Sequence, residues 1–170
     1  MPRSRPEWDG PAAEDAAAPG LAGDLARLHA TCFPEDPWSA EGLAGLAQQA
    51  GCDAMVVRQD GTAAGFAMVR TAADEAELLT ICVTPDLRGR GAGRALLHAC
   101  QDAARARGAS RLFLEVAADN KAAIALYTAC GFQEAGRRKN YYVKGRANPA
   151  DARILCNRLP PAPPPETTIG

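Results

Sequence analysis

The chain has 170 residues, of which 47% are hydrophobic and 23% are charged, and its formal net charge is −1. This composition is ordinary for one globular domain, and a net charge near zero argues against general nucleic-acid binding, which requires a basic excess. No apolar run approaches the roughly 18 residues of a membrane span, and the N-terminus lacks the apolar segment of a secretory signal. We therefore expect a cytoplasmic protein with no membrane contact and no direct nucleic-acid binding.

The two ends of the chain lack apolar periodicity. Residues 1–20 are rich in alanine, proline and charge, and residues 160–170 form a proline-rich tail that is unsuited to strand pairing. We predict disordered ends around a single folded domain, residues 21–159. The six cysteines are scattered without metal-ligand spacing, so we expect free thiols and no metal site.

The first half of this domain is predicted to hold two helices and three strands. Leucines at helical spacing predict a helix from residue 21 to about residue 32, and Ser39 is a favoured cap for a second helix. Asp60-Gly61 is a strong hairpin signal between two apolar strands. The apolar strand 76–83 follows, and we expect it to lie centrally in the sheet.

The second half alternates helices and strands. A helix follows the glycine-rich stretch 86–93, a strand spans 111–116, and a further helix ends at Gly131. Strands near 141–143 and at 154–159 complete the domain. Antiparallel strands followed by strand–helix–strand predict an α/β (α+β) fold, a three-layer sandwich with a mixed central sheet and helices on both faces.

The stretch 86–93, DLRGRGAG, follows a predicted strand and opens a predicted helix. Glycines let backbone N–H groups approach a phosphate, and the helix dipole favours its negative charge. The dinucleotide fingerprint does not fit because its third glycine is missing, and the P-loop does not fit because Arg94 replaces its second glycine. A tight glycine turn with solvated arginines is the alternative to a phosphate site.

The six residues Arg88-Gly89-Arg90-Gly91-Ala92-Gly93 fit the pattern R-x-x-G-x-G, which resembles the pyrophosphate-binding signature of the GNAT acyltransferase superfamily. The resemblance implies acetyl-CoA as the acetyl donor. The cofactor-binding residues that it implies are Ile81, Cys82, Val83, Arg88, Gly89, Arg90, Gly91, Ala92, Gly93, Arg94 and Asn120. Cys82 is then a strand residue beside the cofactor rather than a nucleophile, and Asn120 has helix capping as a competing role.

Acetyl transfer from a thioester to an amine requires a general base for the amine and a general acid for the departing thiolate. Glu115 is a polar residue within the apolar stretch LFLEV, and it is our candidate for the base. Tyr127, on the helix that follows, is the candidate for the acid. The alternatives are an ion pair between Glu115 and an arginine, and a purely structural core position for Tyr127.

Three stretches, FPEDPWS, LEVAADNKAAIALYTACGF and RRKNYY, are similar to the bacterial ribosomal-protein-alanine N-acetyltransferases. The resemblance covers roughly residues 30–159 and implies that Glu115 is the base and Tyr127 the acid. It also implies direct attack by the N-terminal alanine of a ribosomal protein, and we expect a monomeric enzyme. Ala117, Asp119 and the residues after RRKNYY depart from the family pattern and leave the acceptor open.

Several alternatives stay open at this point. A lysine or a small-molecule amine is an alternative acceptor, and a non-catalytic coenzyme A-binding module is the alternative to an enzyme. Glu77 is a rival base, since it shares side-chain parity with Leu79 and Ile81, although an exposed strand-end charge is the favoured interpretation. The histidines, His29 and His98, show no partner that their spacing reveals. Four acidic residues could form an acidic mouth for a basic peptide: Glu35, Asp36, Asp74 and Glu75.

Overall fold

The computed structural model describes residues 7–161 and 163–164, which contain seven strands and four α-helices. The strands are β1 (Asp9–Ala13), β2 (Cys52–Gln59), β3 (Thr62–Ala72), β4 (Glu75–Val83), β5 (Arg111–Ala117), β6 (Gln133–Tyr142) and β7 (Ala150–Arg158). The helices are α1 (Leu21–Cys32), α2 (Ala40–Ala47), α3 (Ala92–Ala106) and α4 (Lys121–Ala129), and one 3-10 turn (Pro85–Leu87) precedes α3. None of the described helices is long and apolar enough to cross a membrane.

The strands form one sheet in the order β1-β2-β3-β4-β5-β7-β6. Every neighbouring pair is antiparallel except β4 and β5, which are parallel and are joined through α3. The sheet is therefore mixed, and the apolar strand β4 lies at its centre. The predicted fold class is confirmed.

Two apolar cores, one on each face of the sheet, hold the layers together. On one face, Leu96 and Leu97 of α3 are fully buried against the sheet. On the other face, Leu25 of α1 and Leu43 of α2 are fully buried in a cluster that includes Phe66 of β3. Because each fully buried side chain of this size stabilises the fold by about 1.5–3 kcal/mol, both helix layers are firmly attached to the sheet.

The N-terminal segment differs from the sequence prediction. Asp9–Ala13 form β1, which pairs antiparallel with β2, and Trp8 packs against the α3-side core. The prediction of disorder is wrong for this stretch, because its pairing depends on the free edge of β2 and not on any apolar alternation of its own. Residues 1–6 lie outside the described residues.

The C-terminal strands are longer than predicted. β6 begins at Gln133, well before the predicted 141–143, and β7 begins at Ala150 rather than at residue 154. Nearly all of β6 is exposed at the edge of the sheet, so its sequence carries charge in place of apolar alternation. Of the proline-rich tail, residues 160, 161, 163 and 164 have no helix or strand, and residues 162 and 165–170 lie outside the described residues.

A β-bulge in β4 exchanges the two faces of that strand. Val69 of β3 pairs with Leu78, and Met68 pairs with Thr80, so Leu79 is the extra residue. Leu78 contacts the α3-side core before the bulge, whereas odd-numbered Ile81 does so after it. The alternation of side chains between the two faces of the sheet is therefore reversed after Leu79.

Candidate functional site

The parallel strands β4 and β5 separate after a short paired stretch. Their register runs from Glu75 opposite Arg111 to Glu77 opposite Phe113 and ends there. Beyond this point both strands line a cleft of about 1290 Å³, which passes between them and connects the two faces of the sheet. The central gap in the sheet therefore offers a cleft with room for a cofactor-sized ligand.

The backbone of β4 presents Ile81 and Val83 to this cleft. Thr84 donates its N–H to Ala64 of β3 at 2.9 Å, and alternate residues of a strand bond to the same neighbour, so Cys82 also points toward β3. Ile81 and Val83 then point the other way, and the Val83 carbonyl accepts from Arg88 Nε at 3.3 Å. The Cys82 side chain is buried in the α1-side core. Cys82 was predicted as a cofactor-binding residue. In the structure neither its backbone groups nor its thiol enters the cleft.

The glycine-rich stretch forms an open cradle at the start of α3. Gly89 and Gly91 have φ values of +74° and +88°, and a Cβ built on either would meet no atom within 4 Å. The first N–H groups of α3 have no intrahelical partner, and the side chains of Arg88 and Arg94 line the cleft beside them. This donor set fits a pyrophosphate: free N–H groups, a helix N-terminus and two guanidinium groups.

Two residues predicted for the cradle lie off the cleft surface. Arg90 is exposed and forms an ion pair with Glu7, and the Ala92 side chain is fully buried in the α3-side core. Only the backbone N–H of Ala92, in the first turn of α3, remains directed at the cradle.

Asn120 lines the cleft and also caps α4, since its side chain accepts from Ala123 N–H at 3.2 Å. The competing capping role of Asn120 is therefore present in the structure.

Glu115 lies in the cleft on the face of the sheet that is opposite to α3. Its neighbours Leu114 and Val116 point into the α3-side core, so the alternation of β5 directs Glu115 to the other side. Its carboxylate is 3.1 Å from Arg138 Nη2 of β6, and the side chain is 25% exposed. The ion pair with an arginine that we considered as an alternative is thus formed, but it leaves the carboxylate accessible from the cleft.

Tyr127 reaches the same cleft from the other face. It lies on α4, is 6% exposed, and packs against Phe132 with ring centroids 5.8 Å apart. Burial, with the nearby Tyr142 and Cys82, raises the pKa of the Tyr127 hydroxyl above its ordinary value, so this group keeps its proton at neutral pH. Glu115 and Tyr127 therefore approach the gap from opposite sides, one as a carboxylate and one as a proton donor.

Two loops enclose the side of the cleft where Glu115 lies. One is the 33–38 loop between α1 and α2, and the other is the 143–149 loop between β6 and β7. Lys144 Nζ lies 2.6 Å from Asp36 and ties the two loops together, and Arg146 pairs with Asp119 of the β5–α4 turn. Among the described residues, the large apolar side chains that remain exposed all line this part of the cleft: Phe33, Tyr141 and Val143.

Two other acidic features predicted from the sequence do not converge on the site. Glu77 is 53% exposed, lies 3.4 Å from Arg70 and does not line the cleft, because the bulge at Leu79 breaks its parity with Ile81. The acidic mouth is divided as well. Its first pair, Glu35 and Asp36, lines the cleft, whereas its second pair, Asp74 and Glu75, lies at the β3–β4 turn.

Neither the place of His29 in the cleft nor the pairing of Arg138 with Glu115 was predicted from the sequence. The His29 ring lines the cleft, where Nδ1 accepts from the Trp38 N–H at 3.1 Å. The partners lie nine residues apart across a turn, and Arg138 meets Glu115 only through the pairing of β6 with β7. The FPEDPWS stretch is the one local signal that could have drawn attention to His29.

The profile of the Acetyltransferase (GNAT) family matches residues 23–132 of this chain. The chain belongs to the GNAT family. The matched region runs from α1 through Phe132, so it contains the glycine cradle and both candidate proton carriers of this GNAT protein.

Relatives within the GNAT family are similar over much of the chain. The ribosomal protein bS18-alanine N-acetyltransferase of Escherichia coli K12 is 50% identical over 84 residues, which are 49% of this chain and 57% of that protein. The enzyme of that name from Salmonella typhimurium is 43% identical over 120 residues, which are 71% of this chain and 80% of the relative. The chain thus spans little more than half the length of the E. coli relative in that alignment.

A solved structure supports the same placement within the GNAT family. The crystal structure of the ribosomal-protein-S18-alanine N-acetyltransferase from Escherichia coli superposes with a TM-score of 0.75 at 34% identity. The match covers 87% of this chain and 94% of that structure. The resemblance drawn from the three sequence stretches is confirmed.

Proposed function

We propose that this GNAT protein is an acetyl-CoA-dependent N-acetyltransferase that acts on the N-terminal alanine of a ribosomal protein. The observation that carries the proposal is the single cleft that joins the glycine cradle, Glu115 and Tyr127 across the gap between β4 and β5. The names of the relatives from E. coli and S. typhimurium support alanine as the acceptor residue. A ribosomal acceptor implies a reaction in the cytoplasm, and we expect the chain to act as a monomer.

The donor fits the α3 side of the cleft. The free N–H groups of the cradle, with Arg88 and Arg94, would hold the pyrophosphate, and the backbone groups of Ile81 and Val83 would pair with the amide-containing arm. Bound acetyl-CoA supplies an acetyl thioester. The Val83 carbonyl accepts from Arg88 Nε at 3.3 Å and from Cys32 Sγ at 3.5 Å in this structure, and its N–H faces the gap.

Glu115 is proposed as the general base. An N-terminal ammonium has to lose a proton before its nitrogen can attack, and an α-amine with a pKa near 8 loses it readily. Glu115 faces the side of the cleft bounded by the two loops, where an acceptor would enter, and its carboxylate can take up that proton. Arg138 holds the carboxylate in place while leaving it accessible.

Tyr127 is proposed as the general acid. The departing thiolate needs a proton, and Tyr127 holds one because burial raises the pKa of its hydroxyl. Direct attack by the amine requires no cysteine intermediate. The placement of Cys82 agrees with this, since its thiol is buried away from the cleft in the α1-side core.

The proposal is tested by incubating the protein with acetyl-CoA and a peptide panel, with the products identified by mass spectrometry. The panel contains ribosomal N-terminal peptides that begin with alanine, the same peptides with blocked α-amines, and peptides with internal lysines. We expect acetylation only at free N-terminal alanine. Acetylation of lysine would retain the donor site and reject the acceptor, and donor binding without turnover would favour a non-catalytic module.

A further inference from the structure

His29 contacts both ends of the 33–38 loop. Its backbone carbonyl accepts from the Phe33 N–H at 2.7 Å, and its ring nitrogen Nδ1 accepts from the Trp38 N–H at 3.1 Å. The ring is also stacked on Trp38, with centroids 4.6 Å apart and an interplanar angle of 17°. The first bond is the last i→i+4 backbone bond of α1, so it is the ring of His29 that ties the far end of the loop, at Trp38, back to the helix.

The loop that His29 holds forms one wall of the cleft near Glu115. Phe33 and Trp38 both line the cleft, and the Phe33 ring lies 4.7 Å from the His29 ring. The glycine cradle lies elsewhere in the cleft, at the start of α3. A change in the loop should therefore alter the acceptor side of the cleft and leave the donor side intact.

We infer that His29 is a positioning residue for the acceptor: its unprotonated Nδ1 holds Trp38, and through Trp38 the 33–38 loop, in the arrangement that binds the acceptor peptide. The inference rests on the proposed function. His29 itself is 2% exposed and acts through the loop and not on the reacting atoms.

The hydrogen bond makes this arrangement sensitive to pH. Nδ1 can accept from Trp38 only while it carries no proton, and burial lowers the pKa of His29 below its ordinary value of 6.5. Asp36 opposes that shift, but its carboxylate also binds Lys144. Phe66 of β3 lies beside the ring, with centroids 6.5 Å apart, and the titratable Cys32 lies one turn further along α1. The bond therefore forms at neutral pH and is lost as the pH falls through the lowered pKa of His29.

Two variants separate the hydrogen bond from the ring. His29→Asn places an amide oxygen where Nδ1 stands and keeps an acceptor, whereas His29→Phe keeps an aromatic ring and removes the acceptor. At pH 8 we expect His29→Phe to raise the acceptor-peptide KM about tenfold, the effect of one backbone N–H left without its partner. We expect kcat and the acetyl-CoA KM to be unchanged, and His29→Asn to restore the acceptor KM. Equal defects in both variants, or a parallel rise in the acetyl-CoA KM, would overturn the inference.

A fluorescence titration tests the same contact without any acceptor. Trp8 and Trp38 are the two tryptophans of the chain, so a Trp8→Phe background leaves Trp38 as the reporter. A protonated imidazole quenches a stacked indole, so we expect Trp38 emission to fall with a midpoint below pH 6.5. The transition should vanish in His29→Asn and in His29→Phe. If it persists in either variant, the titrating group is not His29, and the pH-sensitive contact between His29 and Trp38 is rejected. If no peptide is acetylated, the proposed function fails, and this titration still decides whether His29 holds Trp38.

Discussion

At the scale of single residues, Glu115 and Tyr127 reach one cleft from opposite faces of the sheet. Strand alternation directs Glu115 away from the α3-side core, and helix α4 carries Tyr127 within that core. The two groups consequently differ in solvent exposure, since Glu115 is half-buried and Tyr127 is buried. An accessible carboxylate and a buried hydroxyl are suited to accepting and to donating a proton, respectively.

Replacing Glu115 should remove the proton acceptor without disturbing the fold. Gln has the same shape and can still bond to Arg138, but it cannot take a proton from the amine. We expect Glu115→Gln to lower kcat/KM for an alanine-terminated peptide by about 10²–10⁴-fold. Glu77→Gln is the matched control, because Glu77 is an exposed glutamate outside the cleft, and it should retain full activity. A loss of activity in Glu77→Gln alone would make Glu77 the base.

The raised pKa of Tyr127 has a consequence for the pH–rate profile. An acid whose pKa lies above its ordinary value of 10 stays protonated at every pH below 10. We therefore expect kcat to show no decline assignable to Tyr127 between pH 7 and pH 10, measured with a saturating acceptor. Tyr127→Phe should lower kcat by about 10²-fold or more across that range. An alkaline decline that is present in the wild type and absent from Tyr127→Phe would contradict this assignment.

At the scale of elements, the turn that opens α3 is built for contact with a ligand. Gly89 and Gly91 adopt positive φ values while their Cα atoms face open space, so no neighbouring protein atom excludes a side chain there. Two requirements explain why Gly89 and Gly91 carry no side chain. The backbone must turn through the left-handed region, and a phosphate must approach it closely.

A methyl group on this turn should impair donor binding beyond its effect on stability. Gly91 (φ +88°) and Gly61 (φ +80°, in the β2–β3 hairpin) both face open space, so they form a matched pair. We expect Gly91→Ala and Gly61→Ala each to lower the free energy of unfolding by about 1–2 kcal/mol through left-handed strain. Calorimetric titration with acetyl-CoA should show weakened binding for Gly91→Ala alone. Equal affinities in the two variants would place the pyrophosphate elsewhere.

Elements that are defined by local sequence could be predicted, and those defined by remote pairing could not. The Asp60-Gly61 hairpin and the Ser39 cap are local, and Ser39 does accept from Gly42 N–H at 3.0 Å. The glycine stretch 86–93 and Glu115 could also be predicted, because each is recognised from its immediate neighbours in the sequence. β1 and the bulge at Leu79 depend on a partner strand, and His29 depends on a tryptophan across a turn. Contacts between residues that are distant in the sequence produce no local pattern from which they could be predicted.

At the scale of the whole molecule, the sheet consists of two parts that share one narrow connection. β1 to β4 form an antiparallel unit, and β5, β7 and β6 form another. The three residue pairs between β4 and β5 join these units within the sheet, and α3 links them along the chain. The α3-side core packs across both units, since it includes Val57 of β2 and Leu155 of β7.

Because the pairing of β4 with β5 ends early, the second half of β4 has backbone groups at the centre of the sheet that β5 does not pair. The amide hydrogens of Ile81 and Val83 face the gap, while that of Cys82 is already engaged with β3. Acetyl-CoA should therefore slow deuterium exchange at Ile81 and Val83, with little change at Cys82 between them. Equal slowing at all three amides would indicate general stiffening. In the bound state the small molecule would then form the hydrogen bonds to β4 that β5 does not form beyond Glu77. The hydrogen-bond ladder at the centre of the sheet would be complete only in that complex.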